Sequence, residues 1–346
     1  MALQIQWRRD TAANWTSNNP VLSQGEPGFE TDTVAYKIGD GSTAWNSLGY
    51  GNFSSDAIAM LFTDQASGND PSAPASGKLD LYAKSIAGRM MTKQLGPSGV
   101  PTALQPFLAR NKVGYWNPPG NAVTLPEVFG YTAPTRVGTT TAAVVATTNL
   151  FTRMRRLSLI SSATAGSLSS FRVAAAQVAL GDGNGNGGFY KIIRFGCSDP
   201  ATVSGARQFC GVSSTTNAPT NVEPSTLLNC VGVGHGAADT SLSVFYGGSV
   251  AQTPIALGAN FPANTLSSDA YELALFAPSN EQCVYYEVTR INTGDVATGV
   301  IFLDGAGIVL PPFTTQLTYS WNYRTNNATA LSVGLDVMSD YIETDN

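Results

Sequence analysis

The first fifty residues constrain this chain most. They hold Trp7, Trp15 and Trp45, three of its five tryptophans, separated by short polar and glycine-rich segments. Gln6-Trp7-Arg8-Arg9 reads as a strand with paired arginines that leads into a short polar helix. Asn19-Pro20-Val21-Leu22 follows as a staple, then a turn at Gly25-Glu26-Pro27-Gly28. A hairpin comes next, with Phe29 and the Tyr36/Ile38 pair expected on its inner face and Gly39-Asp40-Gly41 as its reversal. About fifty residues is too few for a self-sufficient core. Such a unit borrows burial from a neighbour or a symmetry mate, which points to an oligomerising or docking element.

This stretch resembles the N-terminal domain of phage major tropism determinants, which heads many phage tail-fibre and head-fibre proteins. The family pattern is matched at Arg8, Arg9, Thr11, Ala12, Trp15, Asn19, Pro20, Leu22, Gly25, Glu26, Gly28, Glu30, Asp32, Lys37, Gly39, Asp40, Gly41 and Trp45. Pro27 stands where an aliphatic residue is commoner. The resemblance implies a trimeric attachment hub, with Trp7, Arg8, Arg9, Trp15, Glu26, Glu30, Asp32, Lys37, Asp40 and Trp45 as its attachment residues. The plainer reading of Arg8 and Arg9 is an ion pair to Glu26, Glu30 or Asp32, a contact of ~1 kcal/mol or less when exposed.

Composition narrows the function classes. A net charge of −5 over 346 residues argues against a nucleic-acid-binding face, which needs concentrated Lys and Arg. Charged residues make up only 12%, which suits tight-turned β structure and assemblies that bury much of each subunit. No apolar run reaches the ~18 residues of a membrane span, and the Met-Ala-Leu-Gln start lacks a secretory signal, so no membrane insertion is expected. Cys197, Cys210, Cys230 and Cys283 form no metal pattern and are expected as buried free thiols of a chain made in a cytoplasm.

Three regions are expected: 1–52 as hub, 53–112 as shaft or linker, and 113–346 as head. In the second, Leu79, Leu81 and Ala83 alternate with Asp80, Tyr82 and Lys84, the period of a half-buried strand, and Gly88 turns the chain into a second strand. A short meander of this kind has one apolar face and nothing of its own to cover it. Three copies about an axis would close it into a prism, while the Pro/Ser/Ala run before it competes as a flexible tether. The stretch resembles the shaft linker of phage fibre proteins, including its Leu104-Gln105-Pro106 ending. Tyr115, Trp116 and Pro118-Pro119-Gly120 read as a neck.

The head reads as all-β. Strands are expected at 171–180, 189–195, 207–212, 229–234, 242–246, 271–276, 283–292, 295–302, 319–323 and 330–337, with 340–343 closing the chain. Thr293-Gly294 marks a hairpin, and Gly181–Gly188 a long flexible turn between two partners. Ser198–Arg207 is the one competing helix, with Asp199-Pro200 as its start. Short, regularly spaced strands argue for a two-sheet sandwich. Arg153, Arg155 and Arg156 are expected to partner carboxylates. The region is similar to a carboxy-terminal head domain of phage tail fibres, through segments such as Ala206–Val212, Val284–Val288 and Ser339–Asp345. That resemblance implies a jelly-roll or lectin-like architecture.

Catalytic signals are sparse. His235 is the only histidine and no Gly-x-Ser-x-Gly elbow exists, so it reads as a turn or strand-end residue. A glycan-cleaving tailspike would need two carboxylates across a cleft, for which Glu272, Glu281, Glu287, Asp304 and Asp336 are candidates. Asp182, Asn184 and Asn186 superficially suggest calcium, but lack the bidentate glutamate of an EF-hand loop. No cofactor fingerprint is present. For receptor contact, aromatics beside amides would suit a glycan: Tyr319, Trp321, Asn322, Tyr323, Asn326 and Asn327 form the densest cluster, and Tyr246 a second. Trp321 also suits a core or an interface. The expectation is a non-enzymatic, homotrimeric phage tail fibre on the virion exterior. Its hub would dock another virion protein and its head would bind a host-surface receptor, glycan by preference. A head fibre or capsid decoration protein is the alternative, a glycan-degrading tailspike the second.

Overall fold

The computed structural model describes residues 7–51, 64, 70–97, 102–104, 112–119, 125, 130, 132–143 and 145–344. The 52–63 connector and the Gln105-Pro106 ending lie outside the described residues. The chain divides into two compact units, residues 1–62 and 63–346.

In the first unit, β1 (Arg8–Asp10) runs parallel to β2 (Pro27–Glu30), which pairs antiparallel with β3 (Tyr36–Ile38). Helix α1 (Ala12–Asn18) starts where the Thr11 hydroxyl accepts from the Asn14 amide at 3.3 Å, and it stops at Asn19 in a left-handed conformation. Its one buried residue, Trp15, stacks on Trp45 with ring centroids 4.1 Å apart, and Leu22 completes the core. The expected hairpin is present, but its reversal lies at residues 31–35, and Gly39-Asp40-Gly41 follows β3. Its faces are also inverted. Gly28, Glu30 and Lys37 point inward, while Ile38 is exposed and Phe29 and Tyr36 are half-buried.

The second unit opens with the expected meander: β4 (Asp80–Ile86), β5 (Arg89–Leu95) and β6 (Thr102–Leu104) pair antiparallel in that order. Its alternation is reversed at the start. Tyr82 is buried, whereas Leu79 and Leu81 are 61% and 43% exposed. The cause is polar: the Tyr82 hydroxyl donates to Asp70 at 2.7 Å, and Lys84 and Lys93 reach the same carboxylate at 3.2 and 3.1 Å. That cluster holds the Tyr82 face inward.

The sandwich strands follow. They are β7 (Lys112–Trp116), β8 (Thr135–Val137), β9 (Thr139–Ala142), β10 (Leu157–Ile160), β11 (Leu168–Arg172) and β12 (Phe189–Cys197). Next come β13 (Arg207–Ser213), β14 (Cys230–His235), β15 (Ser243–Gly247), β16 (Ile255–Ala256) and β17 (Tyr271–Ala277). The last four are β18 (Cys283–Arg290), β19 (Asp295–Phe302), β20 (Thr318–Thr325) and β21 (Gly334–Thr344). One sheet runs β19-β18-β17-β12-β21-β10-β9, with β7 also on β21; the other runs β16-β15-β14-β13-β20-β11-β8. All pairings within the two sheets are antiparallel, and their apolar inner faces form one core that includes Ile193, Phe195, Leu273, Leu275, Val212 and Val233. The two-sheet sandwich is therefore as expected. Trp116, read as neck, is fully buried against Phe171 at 4.7 Å.

Three expectations fail locally. Residues 198–206 form no helix, because Asp199 does not cap one: its carboxylate turns inward to Arg324 and accepts from the Gly334 amide at 2.8 Å. Gly181–Gly188 does not join paired strands, since β11 and β12 lie in different sheets. The strand expected at 171–180 ends at Arg172. A short helix, α2 (Leu150–Arg153), is held by an Asn149–Thr152 capping box.

The interior is not wholly apolar. Arg324, fully buried, donates to Asp199 at 2.7 and 2.5 Å, to Gln208 at 3.1 Å and to Asn264 at 2.7 Å, with the His235 Nε2 2.9 Å away. Lys191 pairs with Asp340 at 2.5 Å, and Arg156 with Asp336 at 2.9 Å; of the three clustered arginines Arg156 thus has the expected carboxylate, while Arg153 donates to the Thr147 carbonyl instead. All four cysteines are free and buried. Burial and the neighbouring Arg324 charge hold the His235 imidazole down at about 3. The unfolded chain takes up a proton as pH falls through about 6.5, while the folded one stays neutral until about 3. Stability tied to His235 is thus present above pH 6.5 and lost below it, by about 1.4 kcal/mol per pH unit. Buried Asp336, held up at about 6, contributes the opposite slope between about pH 4 and 6, so the readout is a difference. In urea unfolding between pH 7 and 4, the stability of the wild type relative to His235→Gln should fall below pH 6.5 at this slope; a constant difference would contradict it.

Candidate functional site

The tryptophans and glycines of the leading unit build one small frame. The Trp15 indole N–H donates to the Phe29 carbonyl at 2.7 Å, and Arg8 lies over the Trp15 ring at 5.3 Å. Arg8 also pairs with Glu26 at 3.5 Å, as expected; the pair is half exposed and contributes little. Asp32 accepts from the Ala12 amide at 2.8 Å and so ties β2 to the start of α1. Lys37 is buried: its ammonium donates to the Trp45 carbonyl at 2.8 Å and lies over the Tyr50 ring at 4.2 Å. Burial pushes its pKa down. Glu30, also buried, accepts from the Tyr50 hydroxyl at 2.7 Å. The Asp40 carboxylate accepts from the Thr43 hydroxyl and amide at 2.6 and 2.7 Å and from the Ser42 amide at 2.9 Å, which holds it well below the usual carboxylate range.

The opposite face of β1–β3 carries an aromatic row. Trp7, 57% exposed, stacks on Phe29 at 4.9 Å, and Phe29 on Tyr36 at 5.5 Å. Register places Arg9 beside Phe29 on this face, and Arg9 is exposed. Of the attachment residues read from the sequence, Trp7 and Arg9 face solvent on this side, and Arg8, Asp32 and Asp40 are exposed as well. Trp15, Glu30, Lys37 and Trp45 build the frame behind them.

The aromatic–amide cluster of the head is a correction. Tyr319, Trp321, Asn322, Tyr323 and Asn326 are all 0–3% exposed, so none offers a ring or amide to a ligand. The Trp321 N–H donates to the Asn217 carbonyl at 3.0 Å and the Tyr323 hydroxyl to Val222 at 3.2 Å. Asn322 bridges the Phe171 carbonyl and the Gly211 amide at 3.0 and 3.1 Å, and Asn326 donates to Thr164 and Leu331 at 2.8 Å each. β20 is buried on both faces: Trp321 and Tyr323 pack with Phe209 and Phe245 under Val222 and Leu227. Asn327 sits in a left-handed turn, and Tyr246 is half-buried against the core.

The candidate carboxylates are each engaged within the protein, Glu287 by the Ala87 amide at 3.1 Å. Glu272 is bound to Arg194 at 2.5 Å, Glu281 to the Tyr285 hydroxyl at 2.9 Å, and Asp304 accepts from the Ile308 amide at 3.0 Å. Asp336 lies inside the sandwich, where burial pushes it up to about 6. Asp182 is satisfied by its own loop, accepting from Asn184 at 2.7 Å and Asn186 at 2.8 Å. Among the described residues no group of three His, Cys, Asp or Glu is placed to hold a metal ion, and no helix is long and apolar enough to cross a membrane.

The feature that sequence reasoning missed is a seam between the β4–β5 hairpin and the outer face of the β12-β17-β18 strands. Arg89 forms a bidentate pair with Glu343 at 2.8 and 2.7 Å and lies over the Tyr190 ring at 4.8 Å. The Ala87 amide donates to Glu287 at 3.1 Å. Ala87 and Gly88, at φ +48° and +72°, make a two-residue turn that sets the hairpin tip on Tyr285. The signal in the sequence was the Ala87-Gly88 turn between two alternating strands, but its docking partner lies some two hundred residues away.

Comparison with known proteins agrees with the leading unit. Residues 5–43 match the Major tropism determinant N-terminal domain. Two curated relatives, each named Hyaluronoglucosaminidase, from Streptococcus pyogenes phages H10403 and H4489A, are 42% identical over 48 residues, 14% of this chain and 14% and 13% of theirs. The chain thus spans about a seventh of the length of the curated relatives it matches, and the match falls in this tropism-determinant-type domain. Among solved structures, peanut lectin with a 9mer peptide aligns at TM-score 0.43 and 13% identity, over 68% of this chain and 97% of that one. Lectin II from Ulex europaeus aligns at 0.41 and 12%, over 61% and 92%. At these scores the likeness goes no further than stacked antiparallel sheets.

Gly28 and Gly39 of the matched domain are fixed by close packing, whereas Gly25 and Gly41 are glycines of left-handed turns at φ +80°. A Cβ on Gly39 would lie 2.4 Å from the Ser23 carbonyl oxygen and 2.5 Å from the Leu22 Cβ. Gly39→Ala should destabilise the unit by about 1–3 kcal/mol, read as faster hydrogen exchange at Trp15 and Lys37. Gly49→Ala, with open space around it, serves as the neutral control. Equal exchange in the two variants would contradict the packing argument.

Proposed function

We propose that this chain is a structural protein of a phage particle: a homotrimeric fibre whose leading domain docks another virion protein and whose sandwich head binds a host-surface receptor. The observation that carries the reading is the match of residues 5–43 to the tropism-determinant domain, a match that rests on residues with physical roles in this fold. The trimer is supported by uncovered apolar surface. Trp7, Val34, Ile38 and Tyr50 in the leading unit, and Leu79, Leu81 and Met90 on the meander, are 43–79% exposed in a single chain. Copies sharing an axis would cover such faces, and several weak head sites on one fibre would raise avidity.

An enzyme is the lesser reading. The relatives named Hyaluronoglucosaminidase share only the leading domain, which fits a common attachment module in front of different heads. Tail and capsid locations are both compatible with that module. Immunogold labelling of intact particles with an antibody to the full chain tests the proposal. Label on the outside, at the tail or the capsid, is expected; purified particles free of label would overturn it.

A further inference from the structure

The seam where the β4–β5 hairpin lies on the outer sheet forms an open cleft of about 360 Å³, within the ~300–1,000 Å³ range of small-molecule sites. One wall is the hairpin, with Lys84 and Ser85; the other is β18 and β19, with Tyr285, Glu287, Thr298 and Val300. Asp64 also lines it and accepts from the Ser85 amide at 2.9 Å. The walls are rigidly set, because the hairpin is fixed to the sheet by the Arg89–Glu343 fork and the Ala87–Glu287 hydrogen bond.

The lining selects a chemistry. Val300 and the Tyr285 side chain present an apolar surface, and Thr298 a hydroxyl, to whatever enters. The one cation, Lys84, is already engaged by Asp70 at 3.2 Å. Asp64 and Glu287 leave the cavity with an excess of acceptors. At Glu287, burial and the Glu272 charge push the pKa up against the Ala87 hydrogen bond and the Lys84 and Lys93 charges, so the carboxylate adds no net positive field for an anion. Hydroxyl and ammonium donors are favoured there, and a carboxylate-bearing ligand is repelled.

We propose that this cavity is the receptor subsite of the head and takes a neutral or amine-bearing pyranose, to the exclusion of uronic acids. This rests on the reading of the chain as an adsorption protein. The sugar's C–H face would lie on Val300 and Tyr285, with its hydroxyls or amine on Glu287, Asp64 and Thr298.

The test uses the full chain and saturation-transfer NMR with glucose, galactose and mannose, their 2-amino forms and their uronic acids. Transfer to at least one neutral or amino sugar, and none to its uronic acid, is expected. Thr298→Trp, which fills the cavity from an exposed edge-strand position, should abolish transfer, and Glu287→Gln should weaken the amino sugar about tenfold. Thr298→Val, which keeps the volume, controls for folding and should weaken binding without abolishing it. Absence of transfer from all nine sugars, binding of uronic acids as tight as the rest, or indifference to Thr298→Trp would each overturn the assignment. Adsorption of the purified chain to host cells separates the two readings. If wild type and Thr298→Trp adsorb equally, the subsite falls and adsorption stands; if wild type does not adsorb, the adsorption reading falls.

Discussion

The stack of Trp15 on Trp45 is the interaction on which the leading unit depends. Almost every fixed feature around it has a role in keeping the two rings together. The Lys37 ammonium holds the Trp45 carbonyl, the Trp15 N–H holds Phe29, and Gly28 leaves room for the Trp45 ring, which a Cβ would meet at 2.6 Å. The stack and Leu22 are nevertheless a very small core. Burying a few large side chains supplies ~2–3 kcal/mol each, far less than ordering some forty-five residues costs. The same unit leaves Val34 79% and Trp7 57% exposed. Association with copies of the chain, as proposed above, would cover those faces.

The head solves the opposite problem. Its strands bury so much surface that polar side chains are drawn inside, and these are satisfied in pairs: Arg324 with Asp199, Lys191 with Asp340, Arg156 with Asp336. Such pairs contribute little net stability but penalise any alternative packing that separates them. Long strand β21 joins them to the outside, since it carries Asp336 and Asp340 within and Glu343 at the hairpin seam. The seam is thus anchored in the same strand as the interior charge pairs, a rigid support for a binding cavity.

Most of the sandwich was legible because strands such as β12, β13, β17 and β19 are short runs with aromatic and β-branched residues bounded by turn residues. Several of the failures share one cause, polar atoms in buried places. Glu30 and Lys37 are buried through Tyr50 and Trp45, so the apolar-inward rule inverted the hairpin. Tyr82 is buried through Asp70, so the shaft strand was read backwards. The Trp321 cluster looked like a wet aromatic surface because its indole N–H and phenol hydroxyl donate to loops far away in sequence, at the Asn217 and Val222 carbonyls. The seam cavity was invisible for the same reason: its walls come from residues some two hundred positions apart.

Sedimentation equilibrium of the full chain at micromolar and lower concentration measures the central claim, that the leading part of this chain is completed by copies of itself. A mass of three times the 36.2 kDa chain, persisting on dilution, is the predicted result. A single 36.2 kDa species that remains folded throughout would contradict it.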